Sequence, residues 1–291
     1  MFQGSFVALV TPMQPDGNID KKSLHDLVEW HINSGTDGLV IGGTTGEGST
    51  LTDEEQYEIV ADVVAQVKKR IPVIAGTGSN STHHTIELTR NAKKAGADAA
   101  LIVTPYYNKP PQQGLYEHYK MVAEKVALPI LLYNVPGRTA CDLLPETVER
   151  LAKISNIVGI KEATGKIERA TEILKRCGKN FKIYSGDDAT AMDLMLEGAV
   201  GVISVTANVA PSKMHLLCKA TLNGDQATAK TVNDELMPLH QNLFLEANPI
   251  PTKWVLHQMG LIPAGIRLPL SPLNPKFHAD LKNAMEKAGI T

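Results

Sequence analysis

Residues 38–77 read GLVIGGTTGEGSTLTDEEQYEIVADVVAQVKKRIPVIAGT. The stretch opens on a short apolar, β-rich run (38–43) and passes through a turn of glycines and threonines. From Asp53 it becomes amphipathic, with apolar residues at helical spacing through DEEQYEIVADVVAQVKKR. The Ile-Pro step after that run is a helix stop signal, and PVIAGT (72–77) is a second short apolar strand. Strand, helix and strand in this order make a βαβ unit, because two parallel strands need a crossover of this length between them.

The same unit recurs in both directions. Strands are predicted at 6–11, 38–43, 72–77, 98–104, 129–134, 157–162, 181–186 and 201–206, with amphipathic segments between them. Several of these segments end on KKRIP, KKAGAD or VALP, where glycine or proline precedes the next strand. Eight such units fit a (β/α)8 TIM barrel, an α/β fold. A doubly wound open sheet is the alternative, but such sheets rarely need eight regular units. The repeat is architectural, without strong self-similarity between units. From Asp225 only helices are predicted, at about 225–246, 250–259 and 275–288, interrupted by NPIP and RLPLSPLNP. A barrel alone takes about 250 residues, so the 291-residue chain divides into a barrel over 1–224 and a C-terminal α-helical domain over 225–291.

Composition narrows the function classes. Hydrophobic residues make up 43% and charged residues 21%, enough for a large buried core. The formal charge of −2 comes from 29 basic and 31 acidic residues with no basic block, which argues against a nucleic-acid partner. The N-terminus lacks a positively charged leader and no apolar run reaches membrane length, so no membrane association and a cytoplasmic location are expected. Cys141, Cys177 and Cys218 are dispersed, and the nine histidines form neither HxxxH nor HExxH. No disulfide framework and no catalytic metal are expected, and the adjacent pair His83-His84 reads as surface.

The turn IGGTTGEGST (41–50) is one residue away from a nucleotide-binding loop, but Ser49 stands where that loop needs its lysine. The expected helix also begins late, near Thr52-Asp53. The barrel gives the turn a different setting. Thr44-Thr45 follow strand 2, Tyr106-Tyr107 follow strand 4, Tyr133 sits at strand 5, Lys161 at strand 6 and Asp187-Asp188 after strand 7. All lie at the C-terminal ends of strands, the end that carries active sites in this fold.

Lys161, in VGIKEAT, is the most informative of these residues. A lysine at a strand end is ordinarily exposed or paired, here with Glu162 as the nearest carboxylate. Inside a barrel mouth, partial desolvation favours the neutral amine, which attacks carbonyls to form a Schiff base. Tyr133 belongs to the neighbouring strand, where a phenol can shuttle protons during imine chemistry. A rim tyrosine bonded to backbone is its plainer reading. Arg138, on the Pro-Gly loop that follows, suits a carboxylate substrate and equally suits a surface salt bridge. Asp187 and Asp188 read as capping residues in preference to pocket residues.

Taken together, GLVIGGTTGEGSTLTDEE, TPYYNKP, YNVPGRTACDLL, GIKEATG, SGDDA, VISVTANV and NPIPTKW resemble the dihydrodipicolinate synthase family of pyruvate-dependent aldolases, which also includes N-acetylneuraminate lyase. The likeness runs essentially end to end. It implies a Schiff base between Lys161 and pyruvate, with no separate cofactor, and L-aspartate-4-semialdehyde as second substrate, in the diaminopimelate route to lysine. It places a proton relay on Tyr133, Thr45 and Tyr107, the last donated by a neighbouring subunit. Pyruvate-carboxylate donors fall on Thr44 and Thr45, the semialdehyde carboxylate on Arg138, and pocket positions on Gly186 and Ile203. Family members are commonly homotetramers, built as dimers of tight dimers.

Two other readings compete. Another 2-oxo-acid aldolase, such as N-acetylneuraminate lyase, would share Lys161 and Tyr133, whereas PGRT favours a short carboxylated aldehyde. A barrel that senses 2-oxo acids without turnover is the other. The resemblance also implies an allosteric lysine site at Gly48, Ser49, Asp53, Gln56, Asn80, His84 and Tyr106. Asn80 and Tyr106 fit the feedback-sensitive pattern. His84 stands where sensitive members carry a glutamate, so weak or absent inhibition by lysine is expected.

Overall fold

A computed structural model describes residues 2–290. Eight parallel strands close into a barrel in sequence order: β1 Gly4–Ala8, β2 Gly38–Ile41, β3 Val73–Gly76, β4 Ala99–Val103, β5 Ile130–Asn134, β6 Ile157–Glu162, β7 Lys182–Ser185 and β8 Gly201–Ser204. Closure is made by β1 against β8, with Phe6 opposite Ile203. The helices between strands are α1 Lys21–Asn33, α2 Asp53–Val67, α3 Thr82–Ala95, α4 Gln112–Lys125, the single turn α5 Pro136–Thr139, α6 Pro145–Leu151, α7 Ile167–Cys177 and α8 Ala191–Leu196. After β8 come α9 Pro211–Leu222, α10 Gln226–Asn242, α11 Ile250–Gln258 and α12 His278–Lys287. The TIM barrel and the helical tail are as the sequence predicts.

Strand alternation divides the core in two. Leu101, Leu131, Tyr133, Tyr184 and Ile203 point into the barrel, while Ile102, Leu132, Ile160 and Val202 pack outward under the helices. Each fully buried aliphatic side chain of this kind contributes about 1.5–3 kcal/mol. Helix α2 starts at a capping box: the Thr52 hydroxyl accepts from the Glu55 N–H, and Glu55 accepts from the Thr52 N–H. The tail folds back on the barrel, with α10 against α8, α9 and α12, and α11 against the 3-10 turn Thr206–Asn208 that follows β8.

The first strand departs from its predicted range of 6–11. It runs over Gly4–Ala8 because Asn208 takes over the ladder beyond it. The Asn208 amide donates to the Ala8 carbonyl at 2.8 Å, and its oxygen accepts the Val10 N–H at 3.0 Å. Among the described residues, no helix is long and apolar enough to cross a membrane.

Two buried histidines make stability depend on pH. His31 bonds Thr36 Oγ1 through Nδ1 (3.0 Å) and His118 bonds Thr82 Oγ1 through Nδ1 (2.9 Å), and neither Nε2 has a partner. Burial pushes their pKa values down to about 3 and about 4. Between those values and the ordinary histidine value near ~6.5, the unfolded chain binds protons that the folded chain refuses. Stability is therefore lost as pH falls through this window, by about 1.4 kcal/mol per pH unit for each histidine. We expect Tm to drop between pH 6.5 and pH 4.5, with a shallower slope in His118→Gln. Equal slopes in the two proteins would show that His118 does not carry its share.

Candidate active site

Register and alternation bring the two chemically informative side chains together. Tyr133 on β5 is paired with Lys161 on β6, and Lys161 with Tyr184 on β7. Lys161 is 5% exposed and Tyr133 7%. The Lys161 Nζ stands 4.4 Å from the centroid of the Tyr133 ring. The sequence offered Glu162 as a partner for this lysine, but successive strand residues face opposite ways. Glu162 instead accepts from the Thr164 N–H (2.9 Å) and Asn134 Nδ2 (3.2 Å), and burial pushes its carboxyl above the usual range. Lys161 thus forms no ion pair among the described residues, and its apolar stem lies against a glycine. A Cβ on Gly186 would stand 2.9 Å from Lys161 Cε and 2.5 Å from the Ala163 methyl, so a side chain there would displace the lysine.

The turn after β2 is a compact knot. Glu47 N–H donates to the Thr44 carbonyl and Gly48 N–H to the Gly43 carbonyl, both at 3.1 Å. A Cβ on Gly48 would collide with the Gly42 carbonyl, so the close approach requires glycine. With α2 beginning at Asp53, no helix N-terminus follows the turn directly, and the phosphate-loop geometry is not formed. Thr44 lines a cavity of about 330 Å³ together with Tyr133, Arg138 and Thr139. Thr45, the next residue, is 2% exposed, and its hydroxyl accepts a hydrogen bond from Asn248 Nδ2 at 2.9 Å. The structure therefore separates the two threonines: Thr44 shares the open cavity with Tyr133, and Thr45 is tied to the helical tail.

The same cavity runs on to Ser49, Asp53, Gln56, Ser79, His84 and Tyr106. His84 keeps a side chain 44% exposed, as a surface residue, and at the same time lines this cavity. Its Nε2 lies 3.0 and 3.1 Å from the two Asp53 carboxylate oxygens, and its Nδ1 lies 3.2 Å from Ser79 Oγ. The Asn80 carbonyl accepts from Asn108 Nδ2 at 2.8 Å, which joins this region to the loop after β4.

Tyr107, on that loop, points away from the barrel of its own chain and is 86% exposed. Its φ of 76° sits beneath an Asn108 N–H bond to the Tyr106 carbonyl (2.9 Å), a γ-turn of the rare positive-φ form. Arg138 lies on the turn α5, exposed yet lining the cavity, with Nη2 3.3 Å from the Asn248 carbonyl. The loop that carries it is held by Asn134, which donates to Asp142 (2.9 Å) and accepts from the Leu143 N–H (3.0 Å). Ile203 is fully buried inside the barrel. Asp187 accepts from the Thr190 N–H and hydroxyl, and Asp188 accepts from the Val205 and Thr206 N–H groups at 2.9 Å each. Both acids shape loops. Among the described residues, no group of three or more His, Cys, Asp or Glu could hold a metal.

Sequence reading missed the contribution of the tail. Besides Asn248, Lys253 forms a buried ion pair with Glu47, and Arg267 donates its N–H to the same glutamate at 3.0 Å. Burial holds the Lys253 ammonium below the ordinary lysine range, against the pull of Glu47. The sequence signal for it is NPIPTKW (248–254), which holds both Asn248 and Lys253 and which the family resemblance marks without assigning either residue a role.

Comparison with known proteins places this geometry. The Dihydrodipicolinate synthetase family profile matches residues 1–288. The 4-hydroxy-tetrahydrodipicolinate synthase of Pseudomonas aeruginosa is 59% identical over 290 residues, covering 100% of this chain and 99% of that protein. The namesake of Alcanivorax borkumensis is 60% identical with the same coverage. The crystal structure of the chloride-inhibited dihydrodipicolinate synthase of Acinetobacter baumannii complexed with pyruvate is 56% identical, with a TM-score of 0.99 and complete coverage of both chains. A buried, unpaired lysine beside a tyrosine at the mouth of such a barrel is thus embedded in an end-to-end likeness. The chain belongs to the dihydrodipicolinate synthetase family.

Proposed function

We propose that the chain carries 4-hydroxy-tetrahydrodipicolinate synthase activity, condensing pyruvate with L-aspartate-4-semialdehyde through a Schiff base on Lys161. The carrying observation is the Lys161 amine itself, buried, without a carboxylate partner among the described residues and 4.4 Å from the Tyr133 ring centroid. The amine attacks the ketone carbon of pyruvate, and the carbinolamine loses water to give an iminium. The iminium withdraws electrons, so the methyl group releases a proton and an enamine forms. The enamine carbon attacks the aldehyde of the second substrate, whose oxygen takes up a proton. The amino group of that substrate then adds to the iminium carbon, closes the ring and expels Lys161. The iminium nitrogen takes up the electron pair released at the methyl group, and the aldehyde oxygen takes up the pair displaced in the carbon–carbon step, so the reaction calls on no separate cofactor.

Proton transfers at each step need a hydroxyl relay, and Tyr133 is the group placed to begin it. Thr44, which lines the same cavity as Tyr133, is proposed to continue it, since the Thr45 oxygen already accepts from Asn248. The Thr45 hydroxyl, with its oxygen already engaged, is suited to donate to the pyruvate carboxylate, and Arg138 to receive the carboxylate of the semialdehyde. Tyr107 would enter the site of a second copy of the chain. Its exposure and its rare backbone conformation support that reading, because such strain persists where the surroundings hold it for use. A homotetramer assembled from such pairs is the proposed state. The test is product formation from pyruvate and the semialdehyde, set against cleavage of N-acetylneuraminate. Turnover of the latter alone would overturn the proposal in favour of the related lyase.

The second end of the cavity bears on control by the pathway's end product. An amino-acid effector with a cationic side chain needs a carboxylate to pair with. Asp53 already lies within hydrogen-bond distance of His84 through both oxygens. We expect L-lysine to leave the initial rate nearly unchanged up to millimolar concentration. Potent inhibition in an initial-rate titration would show that the Asp53–His84 pair gives way to the ligand.

A further inference from the structure

The contact between Thr45 and Asn248 joins residues at opposite ends of the chain. A threonine hydroxyl can donate one hydrogen bond and accept two, and its rotor settles according to its neighbours. Here the Asn248 Nδ2 donates to Thr45 Oγ1 at 2.9 Å, and the Asn248 Oδ1 accepts from the Thr252 hydroxyl at 3.2 Å. With the oxygen of Thr45 occupied as acceptor, its proton is directed away from Asn248. A hydroxyl so constrained is a committed donor, the state needed to meet an anion.

Other contacts reinforce this one. Asn248 is 4% exposed, and its main-chain carbonyl accepts from Arg138 Nη2. One turn further along, Lys253 pairs with Glu47, two residues past Thr45. The start of α11 therefore grips the turn after β2 at two points and touches the loop after β5 at a third.

We propose that Asn248 is a positioning residue for the reaction, orienting the Thr45 hydroxyl as a donor toward the carboxylate of pyruvate. The inference rests on the reaction assigned above. It predicts a separation of effects between the two substrates. Asn248→Ala removes the amide but keeps the main-chain carbonyl that faces Arg138. The KM for pyruvate rises about tenfold, the effect of one lost hydrogen bond to a charged group. The KM for the semialdehyde and kcat change by less than about twofold, as for an interaction made equally in the ground and transition states.

Thr45→Val should give a similar rise, and the double variant should be no worse than either single one, because both changes remove the same interaction. Asn248→Asp keeps the shape of the side chain but leaves only acceptors when ionised, so it turns the Thr45 proton toward itself. Its KM for pyruvate should exceed that of wild type at least as much as the alanine variant does. Steady-state kinetics with both substrates, with Tm recorded for each variant, read all of these outcomes. A pyruvate KM unchanged in Asn248→Ala, multiplying losses in the double variant, or wild-type affinity in Asn248→Asp overturns the proposal. Should the wild-type protein fail to form a borohydride-trapped adduct with pyruvate, the assigned reaction falls and this role with it. An adduct in the wild type alongside any of the former results sinks the positioning role alone.

Discussion

Replacing Lys161 with alanine is expected to lower kcat/KM by about 10⁴-fold or more and to abolish the pyruvate adduct trapped by borohydride. The chain holds a second buried lysine, Lys253, which makes the experiment discriminating. Lys253 is committed to Glu47 in a buried ion pair, whereas Lys161 has no ion-pair partner among the described residues and lies against the face of Tyr133 and against Gly186. An ion-paired ammonium is a poor nucleophile, and a neutral amine is the form that attacks a ketone. Truncating Lys161 removes no ion pair, so Tm should stay close to that of wild type. Truncating Lys253 strands a buried carboxylate, a change of about 3–5 kcal/mol in stability. Mass mapping of the adduct to Lys253, or full turnover in Lys161→Ala, would refute the assignment.

Tyr133→Phe should lower kcat by about 10²–10⁴-fold, the range of general acid–base catalysis, with a smaller change in Tm. The ring that faces Lys161 is kept, and so is its place in the barrel interior beside Leu131, Tyr184 and Ile203. Only the hydroxyl is lost. Pyruvate should still be trapped at Lys161, because carbinolamine formation begins with the amine, but the adduct should accumulate more slowly. A variant with wild-type kcat would place the relay elsewhere, with the Thr44 hydroxyl as the next group to change. A variant that traps no pyruvate after long incubation would mean that the phenol holds the lysine in place and does more than shuttle protons.

Much of the architecture was legible because its determinants are local. The helical spacing of DEEQYEIVADVVAQVKKR, its capping threonine and its proline stop lie within one segment, and the observed α2 occupies it. The pairing of Tyr133 with Lys161 could be read because one βα unit separates neighbouring strands. The opposite facing of Lys161 and Glu162 was also available, since side chains alternate along a strand. Less legible was the end of β1. Asn208 lies at the far end of the barrel sequence and becomes a neighbour of Ala8 and Val10 only when the barrel closes.

The division between Thr44 and Thr45 has the same origin. Adjacent residues of one type cannot be ranked by their sequence, and the resemblance placed the relay on Thr45. Asn248 singles that residue out by donating to its hydroxyl oxygen, and Thr44, in the cavity with Tyr133, has no such partner among the hydrogen bonds of the described residues. By itself, the sequence determined the eight-strand order, the strand ends at which Tyr133 and Lys161 lie and the pairing of those two residues on neighbouring strands. Those features follow from periodicity and from neighbours one unit apart. Only the tertiary structure decided which threonine is held, where Glu47 finds its cation and how the tail fastens the mouth. Those contacts join residues some two hundred positions apart, and no local rule of pattern or propensity can encode a partner at that distance.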